Sequence, residues 1–197
     1  MSNIDKLILT DCDGVLLDWH GAFKKWMHRL GYELTKMGED CTSYHIHDHY
    51  HDLSQAEAFE LVAQFSLSDA IGELEPFRDS LEYVKRMHEE HGYRFRVITS
   101  FSDNENAIRL RQQNLEKHFG DAIEMLISLP IHTRKNITLL NYNNSNMYWI
   151  EDKERNADDG LAAGLRPILV EHEFNKHHEC SYPIVKTWGE IYNIIVK

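Results

Sequence analysis

The chain has 197 residues, with 32 acidic against 21 basic side chains and a formal net charge of −11, a field that repels a polyphosphate and argues against binding a nucleic-acid duplex. Hydrophobic residues make up 42% and charged residues 27%, the balance of a soluble globular chain that builds one core, or one domain with a sizeable insertion, without disulfide or structural-metal staples. Three widely spaced cysteines, Cys12, Cys41 and Cys180, form no CxxC pair and argue for a reducing compartment.

In chain order, the apolar run Leu7-Ile8-Leu9 leads into Thr10-Asp11-Cys12-Asp13-Gly14 and predicts a buried strand ending in a loop. From Leu16 to Leu30 the apolar spacing is helical, with Trp19, Phe23, Trp26 and Leu30 on one stripe and Gly31 as a stop. Residues 32 to 53 are polar, His-rich and read as irregular. Ser54 and Glu57 form a capping box for a helix from Gln55 to Phe65. Pro76 and Asp79 open a helix from Ser80 to Glu90, ended by Gly92. Phe95 to Ser100 predicts a second strand, and Asp103 caps a helix running to Phe119 and stopped by Gly120. Strands follow at Ile123 to Leu129 and Met147 to Ile150, then a short helix to Gly164, a strand from Pro167 to Val170, and an amphipathic helix from Trp188 to Val196.

Strands alternating with helices imply a parallel sheet covered on both faces, an α/β Rossmann-like arrangement with its ligands at the carboxyl ends of the strands. Four polar stations fall at such ends: Asp11 and Asp13, Thr99 and Ser100, Lys135, and Glu151 with Asp152. No stretch approaches the roughly 18 apolar residues of a membrane span. The start MSNIDKLILTDCDG lacks the basic opening and cleavage site of a signal peptide, so the expected compartment is the cytoplasm.

Asp11 and Asp13, two apart in an extended segment, project from one face. Paired carboxylates divide labour between an ionised nucleophile and a protonated general acid. With Asp152 they offer three hard oxygen groups suited to Mg²⁺. Thr99 or Ser100 supplies a hydroxyl to a phosphate oxygen, the two being inseparable by spacing, and Lys135, in competition with Arg134, supplies a positive charge. Glu151 fits equally a supporting partner of a ligand. The set suits phosphoryl transfer through an aspartyl-phosphate. A lone DxD is weak, because most such pairs are surface turns; the order of the other stations is what raises it.

These residues resemble the haloacid dehalogenase-like superfamily of phosphatases. Asp11-Cys12-Asp13-Gly14-Val15, Ile98-Thr99-Ser100, Lys135 and Ile150-Glu151-Asp152-Lys153-Glu154-Arg155-Asn156 match its four motifs across nearly the whole chain. The resemblance implies that Asp11 is phosphorylated, that Asp13 protonates the leaving oxygen and later activates water, and that Thr99 and Lys135 bind the phosphoryl group. It also implies Mg²⁺ held by the Asp11 carboxylate, the Asp13 backbone carbonyl and the Asp152 carboxylate. Two departures are Asn156, where a fourth acid is common, and a long gap between Lys135 and Glu151. The resemblance further implies a catalytic core over 1–15 and 94–197 and a helical cap over 16–93, inserted after the first strand.

Within the superfamily, Asp13-Gly14-Val15-Leu16-Leu17-Asp18-Trp19, Gly72 to Phe77, Thr133-Arg134-Lys135 and Thr187-Trp188 resemble the 5'(3')-deoxyribonucleotidases. There an aromatic at the place of Trp19 lies against the nucleobase, although Trp19, Phe23 and Trp26 fit a core stripe as well. The expected substrate is a (deoxy)nucleoside monophosphate. The alternatives are a sugar phosphate or phosphoglycolate, with a non-catalytic phosphate-binding module or a dehalogenase disfavoured by the intact set of acids. The His-rich stretch from His45 to His51 lacks a separated ligand pair for Zn²⁺ and reads as a polar cap loop whose histidines meet solvent or substrate phosphate.

Overall fold

In the computed structural model, which describes residues 6–197, Ile8 and Leu9 point to opposite sides of one sheet and into separate apolar layers. That explains the unbroken apolar run before Asp11: a strand buried on both faces shows no alternation. Residues 1–5 of the expected core lie outside the described residues. Six parallel strands, β1 (Leu7–Thr10), β2 (Arg94–Ser100), β3 (Ile123–Leu129), β4 (Tyr148–Glu151), β5 (Arg166–Val170) and β6 (Ile184–Val185), run in the order β3-β2-β1-β4-β5-β6. The α/β Rossmann-like expectation is met, with one short strand, β6, that two residues could not announce. The order reverses at β1 and β4, which makes the crevice beyond their carboxyl ends the natural ligand site.

Helices α4 (Ser80–His91), α5 (Glu105–Phe119) and α8 (Trp188–Val196) bury Val84, Met87, Leu115 and Trp188 in the larger layer. The opposite layer holds Leu9, Ile98, Leu139, Trp149 and Leu165, with α6 (Asn136–Leu139) and α7 (Glu154–Ala162) over it. Burying each such large apolar side chain is worth about 2 kcal/mol. Trp149 and Trp188 are the largest fully buried side chains, and each satisfies its indole N–H, on the Asn156 and Val15 carbonyls respectively.

Between β1 and β2 lie α1 (Trp19–Arg29), α2 (Lys36–Asp40), α3 (Gln55–Leu67) and α4. The first helix starts at Trp19, capped by the Asp18 side chain on the Gly21 N–H, rather than at Leu16. Leu16 and Leu17 instead form a turn. The chain leaves and returns through a narrow stem: the Asp18 N–H donates to the Glu75 carbonyl and the Phe77 N–H to the Leu16 carbonyl, both at 2.8 Å. Residues 32–53, expected to be irregular, contain α2 and a 3-10 turn over Ile46–His49. The Ser54–Glu57 capping box is present. The long helix α5 is capped by Asn104, not Asp103. No helix among the described residues is long and apolar enough to cross a membrane.

Candidate active site

Strand β1 ends by delivering Asp11, and β4 ends by delivering Glu151 and Asp152, at neighbouring positions of the sheet. One oxygen from each of these three carboxylates lies within 4.8 Å of the others, and all three residues are buried. Close approach depends on Gly14, whose φ of +75° suits glycine and where a Cβ would stand 2.5 Å from Asp152 Oδ2. Lys135, just ahead of α6, bridges the cluster: its Nζ lies 2.8 Å from Asp11 Oδ1 and 2.8 Å from Glu151 Oε2, beneath the face of Trp149. The Cys12 N–H donates to the same Asp11 Oδ1 at 2.7 Å, so Oδ2 is the oxygen free of protein donors among the described residues.

The charges do not balance within this group. Three buried carboxylates face a single ammonium, a deficit of two positive charges. Burial pulls the Lys135 ammonium down, but the Asp11 and Glu151 charges outweigh it and hold the amine protonated, above its usual range. Burial, with the Asp11 charge, pushes Glu151 up. Burial, with the Glu151 and Asp11 charges, pushes Asp152 well up. His172, 3.8 Å from Asp152 Oδ2, offers no cation: burial lowers it to about 4, and its Nε2 is engaged with the Gly14 carbonyl at 2.8 Å. Hard carboxylate oxygens two charges short of neutrality suit a divalent oxygen-seeking cation.

A cavity of about 410 Å³ opens over the cluster, and Asp11, Asp13, Trp19, Thr99, Lys135 and Asp152 all line it. The expected site residues are therefore brought together, and neighbouring candidates take different environments. Ser100, although it borders the cavity, spends its hydroxyl on the Thr133 carbonyl at 2.7 Å. Thr99 is a buried residue that borders the cavity. Arg134 forms an exposed fork on Asp159, whereas Lys135 is buried in the cluster. Trp19 stacks on Phe23 at 4.7 Å and also borders the cavity. Among the histidines, His45 and His47 border the cavity, but His49 is buried and engaged with the Ser43 carbonyl at 2.7 Å.

Glu151, whose role the sequence left open, sits inside the carboxylate cluster itself. Two further contributors carried no signal in the sequence. Asn175 is fully buried and ties the Asp152 and Val170 carbonyls with one amide. Arg111 of α5 pairs with Asp13. An arginine on an amphipathic helix, or an asparagine in a loop, announces nothing until the fold brings it to the site.

The family described as "5' nucleotidase, deoxy (Pyrimidine), cytosolic type C protein" (NT5C) matches residues 5–197. A curated relative, the "Uncharacterized 32.4 kDa protein in Gp30-rIII intergenic region" of Enterobacteria phage T4, is 27% identical over 123 residues. That stretch is 61% of this chain and 43% of the relative, so the chain matches less than half of the relative's length. Among solved structures, a dehalogenase with an intermediate complex aligns with a TM-score of 0.63 at 14% identity, over 98% of this chain and 97% of its own. CbbY from Rhodobacter sphaeroides in complex with phosphate aligns at 0.57 and 17% identity, over 94% and 96%. At such identities the likeness is one of fold.

Proposed function

This chain belongs to the 5' nucleotidase, deoxy (Pyrimidine), cytosolic type C family of haloacid dehalogenase-like hydrolases, and from that premise we propose that it is a Mg²⁺-dependent phosphomonoesterase acting on deoxynucleoside monophosphates in the cytosol. The observation that carries the reading is the meeting of Asp11, Glu151 and Asp152 around Lys135 at the floor of one cavity. Asp11 and Asp152 would hold Mg²⁺, together with the Asp13 backbone carbonyl, and Glu151 completes the negative pocket. The ion would supply the missing positive charge beside the phosphoryl oxygens.

Asp11 Oδ2 attacks phosphorus and the bond to the leaving oxygen breaks. Asp13 gives that oxygen a proton, releasing an alcohol and leaving an aspartyl-phosphate. Asp13, now a carboxylate, takes a proton from water, which attacks phosphorus. The Asp11–phosphorus bond then breaks, and inorganic phosphate and the free carboxylate are restored. Throughout, Lys135 neutralises the oxyanions, while the Thr99 hydroxyl orients one phosphoryl oxygen.

The nucleoside then lies in the outer cavity, whose wall includes Trp19, Phe59 and Val62, with Phe59 left 49% exposed. Two flat apolar surfaces suit a base better than they suit a polyol. The segment beyond the stem, residues 18 to 75, forms this outer wall and acts as the cap. The core-packed α4 is excluded from it, which narrows the expected 16–93 cap.

A phosphate-release screen of deoxynucleoside monophosphates, ribonucleotides, sugar phosphates and phosphoglycolate, with Mg²⁺ and with EDTA, tests the reading. Deoxynucleotides are expected to lead, EDTA to abolish turnover, and Asp11→Asn to cost about 10³-fold or more while leaving the fold intact. A clear lead for sugar phosphates would overturn the substrate, and a fully active Asp11→Asn the covalent route.

A further inference from the structure

Arg111 lies on the buried stripe of α5 between Ala107 and Leu115, four residues from each, where an apolar side chain is the ordinary occupant. It is completely buried, and its guanidinium faces the Phe101 ring at 4.8 Å. A single nitrogen, Nη1, donates both to Cys12 Sγ at 2.9 Å and to Asp13 Oδ1. Nε and Nη2 are buried without any partner.

As a stabilising device this arrangement is poor. A buried ion pair seldom outperforms well-packed apolar residues, because desolving both charges costs about what their attraction returns. Two orphaned nitrogens, which carry three N–H bonds between them, add a further penalty. The guanidinium is therefore retained for something other than stability, and what it touches is the acid of the proposed reaction.

We propose that Arg111 is a positioning residue for Asp13: it pins Oδ1 from behind and so presents Oδ2 to the leaving oxygen of the phosphoester. Asp13 borders the cavity and keeps 22% of its side chain exposed, while its partner is wholly enclosed. Oδ2 accepts no hydrogen bond among the described residues. Asp13 sits just after β1, and Arg111 is the side chain that hydrogen-bonds its carboxylate among the described residues. Cys12, held by the same nitrogen, extends the grip to the backbone between nucleophile and acid. The inference rests on the phosphomonoesterase reading and deepens it, because proton delivery counts only if a leaving oxygen must be protonated.

The test separates placement of the acid from general integrity. The parameter kcat/KM reports the first half-reaction alone, in which Asp13 is the proton donor. Two substrates are compared: 2'-deoxyuridine 5'-monophosphate, whose alkoxide must be protonated, and 4-nitrophenyl phosphate, whose phenolate leaves largely unaided. General acids contribute on the order of 10²- to 10⁴-fold. Arg111→Met is expected to lower kcat/KM about 100-fold on the nucleotide, with a loss at least ten times smaller on the aryl ester. Arg111→Lys, which keeps one nitrogen in reach, is expected to recover about tenfold on the nucleotide relative to Arg111→Met. If Arg111→Met does not fold, the same ratio is read in Arg111→Lys. Equal losses on both esters, or none on either, would overturn the positioning role. A wild-type protein that hydrolyses the aryl ester but not the nucleotide fails the substrate assignment instead, and the ratio is then read with ribose 5-phosphate. A wild type inert toward all three esters sinks both readings.

Discussion

Thr99 and Ser100 show what a single position decides. Adjacent strand residues face opposite ways, and here Thr99 meets the cavity while Ser100 binds the loop carrying Lys135. A hydrogen bond to a charged group is worth about 1.5–3 kcal/mol. Thr99→Val is therefore expected to lower kcat/KM roughly tenfold to a hundredfold, and Ser100→Ala to lower it less while costing about 1 kcal/mol in urea unfolding. The reverse order would exchange the two roles. The sequence placed both hydroxyls at the strand end but could not choose between them, because β2 is covered on both faces and Val97, Ile98 and Thr99 are all buried. The same limit applied to Arg134 and Lys135, the first an exposed side chain paired with Asp159 and the second enclosed by Asp11 and Glu151. The acids of β1 were legible because a DxDG after an apolar run has few structural uses. Glu151 was legible as a strand-end acid but not in its role, since an acid next to a ligand has many.

Among the elements, the two helices with long apolar periodicity in the insertion, α1 and α3, were readable, whereas the piece between them was not. The five-residue α2 and a four-residue 3-10 turn are too short to express a period of 3.6. Their packing is set by His49, whose carbonyl accepts the Thr35 N–H at 2.8 Å and whose ring is engaged with Ser43. The expectation that the whole His run meets solvent or substrate fails at this residue, which is 1% exposed. Burial lowers the His49 ring below its ordinary value of 6.5, so the fold holds it neutral. As pH falls through about 6.5 the unfolded chain takes up a proton that the native state refuses, and stability declines until the folded ring itself titrates. The limiting slope is about 1.4 kcal/mol per pH unit for one such group. Urea unfolding from pH 7 to pH 5 is expected to show a shallower loss in His49→Gln than in the parent protein. Parallel profiles would mean that the ring is protonated in the fold. Because His49 stands apart from the cavity, its replacement is not expected to act on KM, whereas that of His47 is.

At the scale of the molecule, the insertion is fastened at several places that are not visible along the chain, among them α5, whose Asn114 amide donates to the Leu74 carbonyl at 3.0 Å. Another is the stem, where Asp79, just past its return, accepts the Trp188 and Gly189 N–H groups at 2.8 and 3.0 Å and so caps α8 across more than a hundred residues. Arg78 holds the Lys186 and Glu171 carbonyls beside it. These contacts fix the base of the insertion to the C-terminal helix. A further fastening is at the cavity mouth, where Lys153, next to Asp152, donates to the Tyr44 hydroxyl at 2.9 Å and lies 4.3 Å from the centre of its ring. It joins the far end of the insertion to the strand end that carries the acids. The cation–π pair is worth about 0.5–2 kcal/mol and Tyr44 also meets Phe174 edge-on at 5.5 Å; under the proposed function, these are contacts that an opening of the cavity mouth would break. Tyr44→Ala is therefore expected to raise KM for the nucleotide roughly three- to tenfold, with kcat unchanged or somewhat raised, because opening becomes easier while Asp11, Asp13 and Lys135 keep their places. Tyr44→Phe, which keeps the ring and loses only the hydroxyl, is expected to fall between the two. A fall in kcat at constant KM would instead assign Tyr44 to the chemical step, and would mean that the wall over the cavity does not move during turnover.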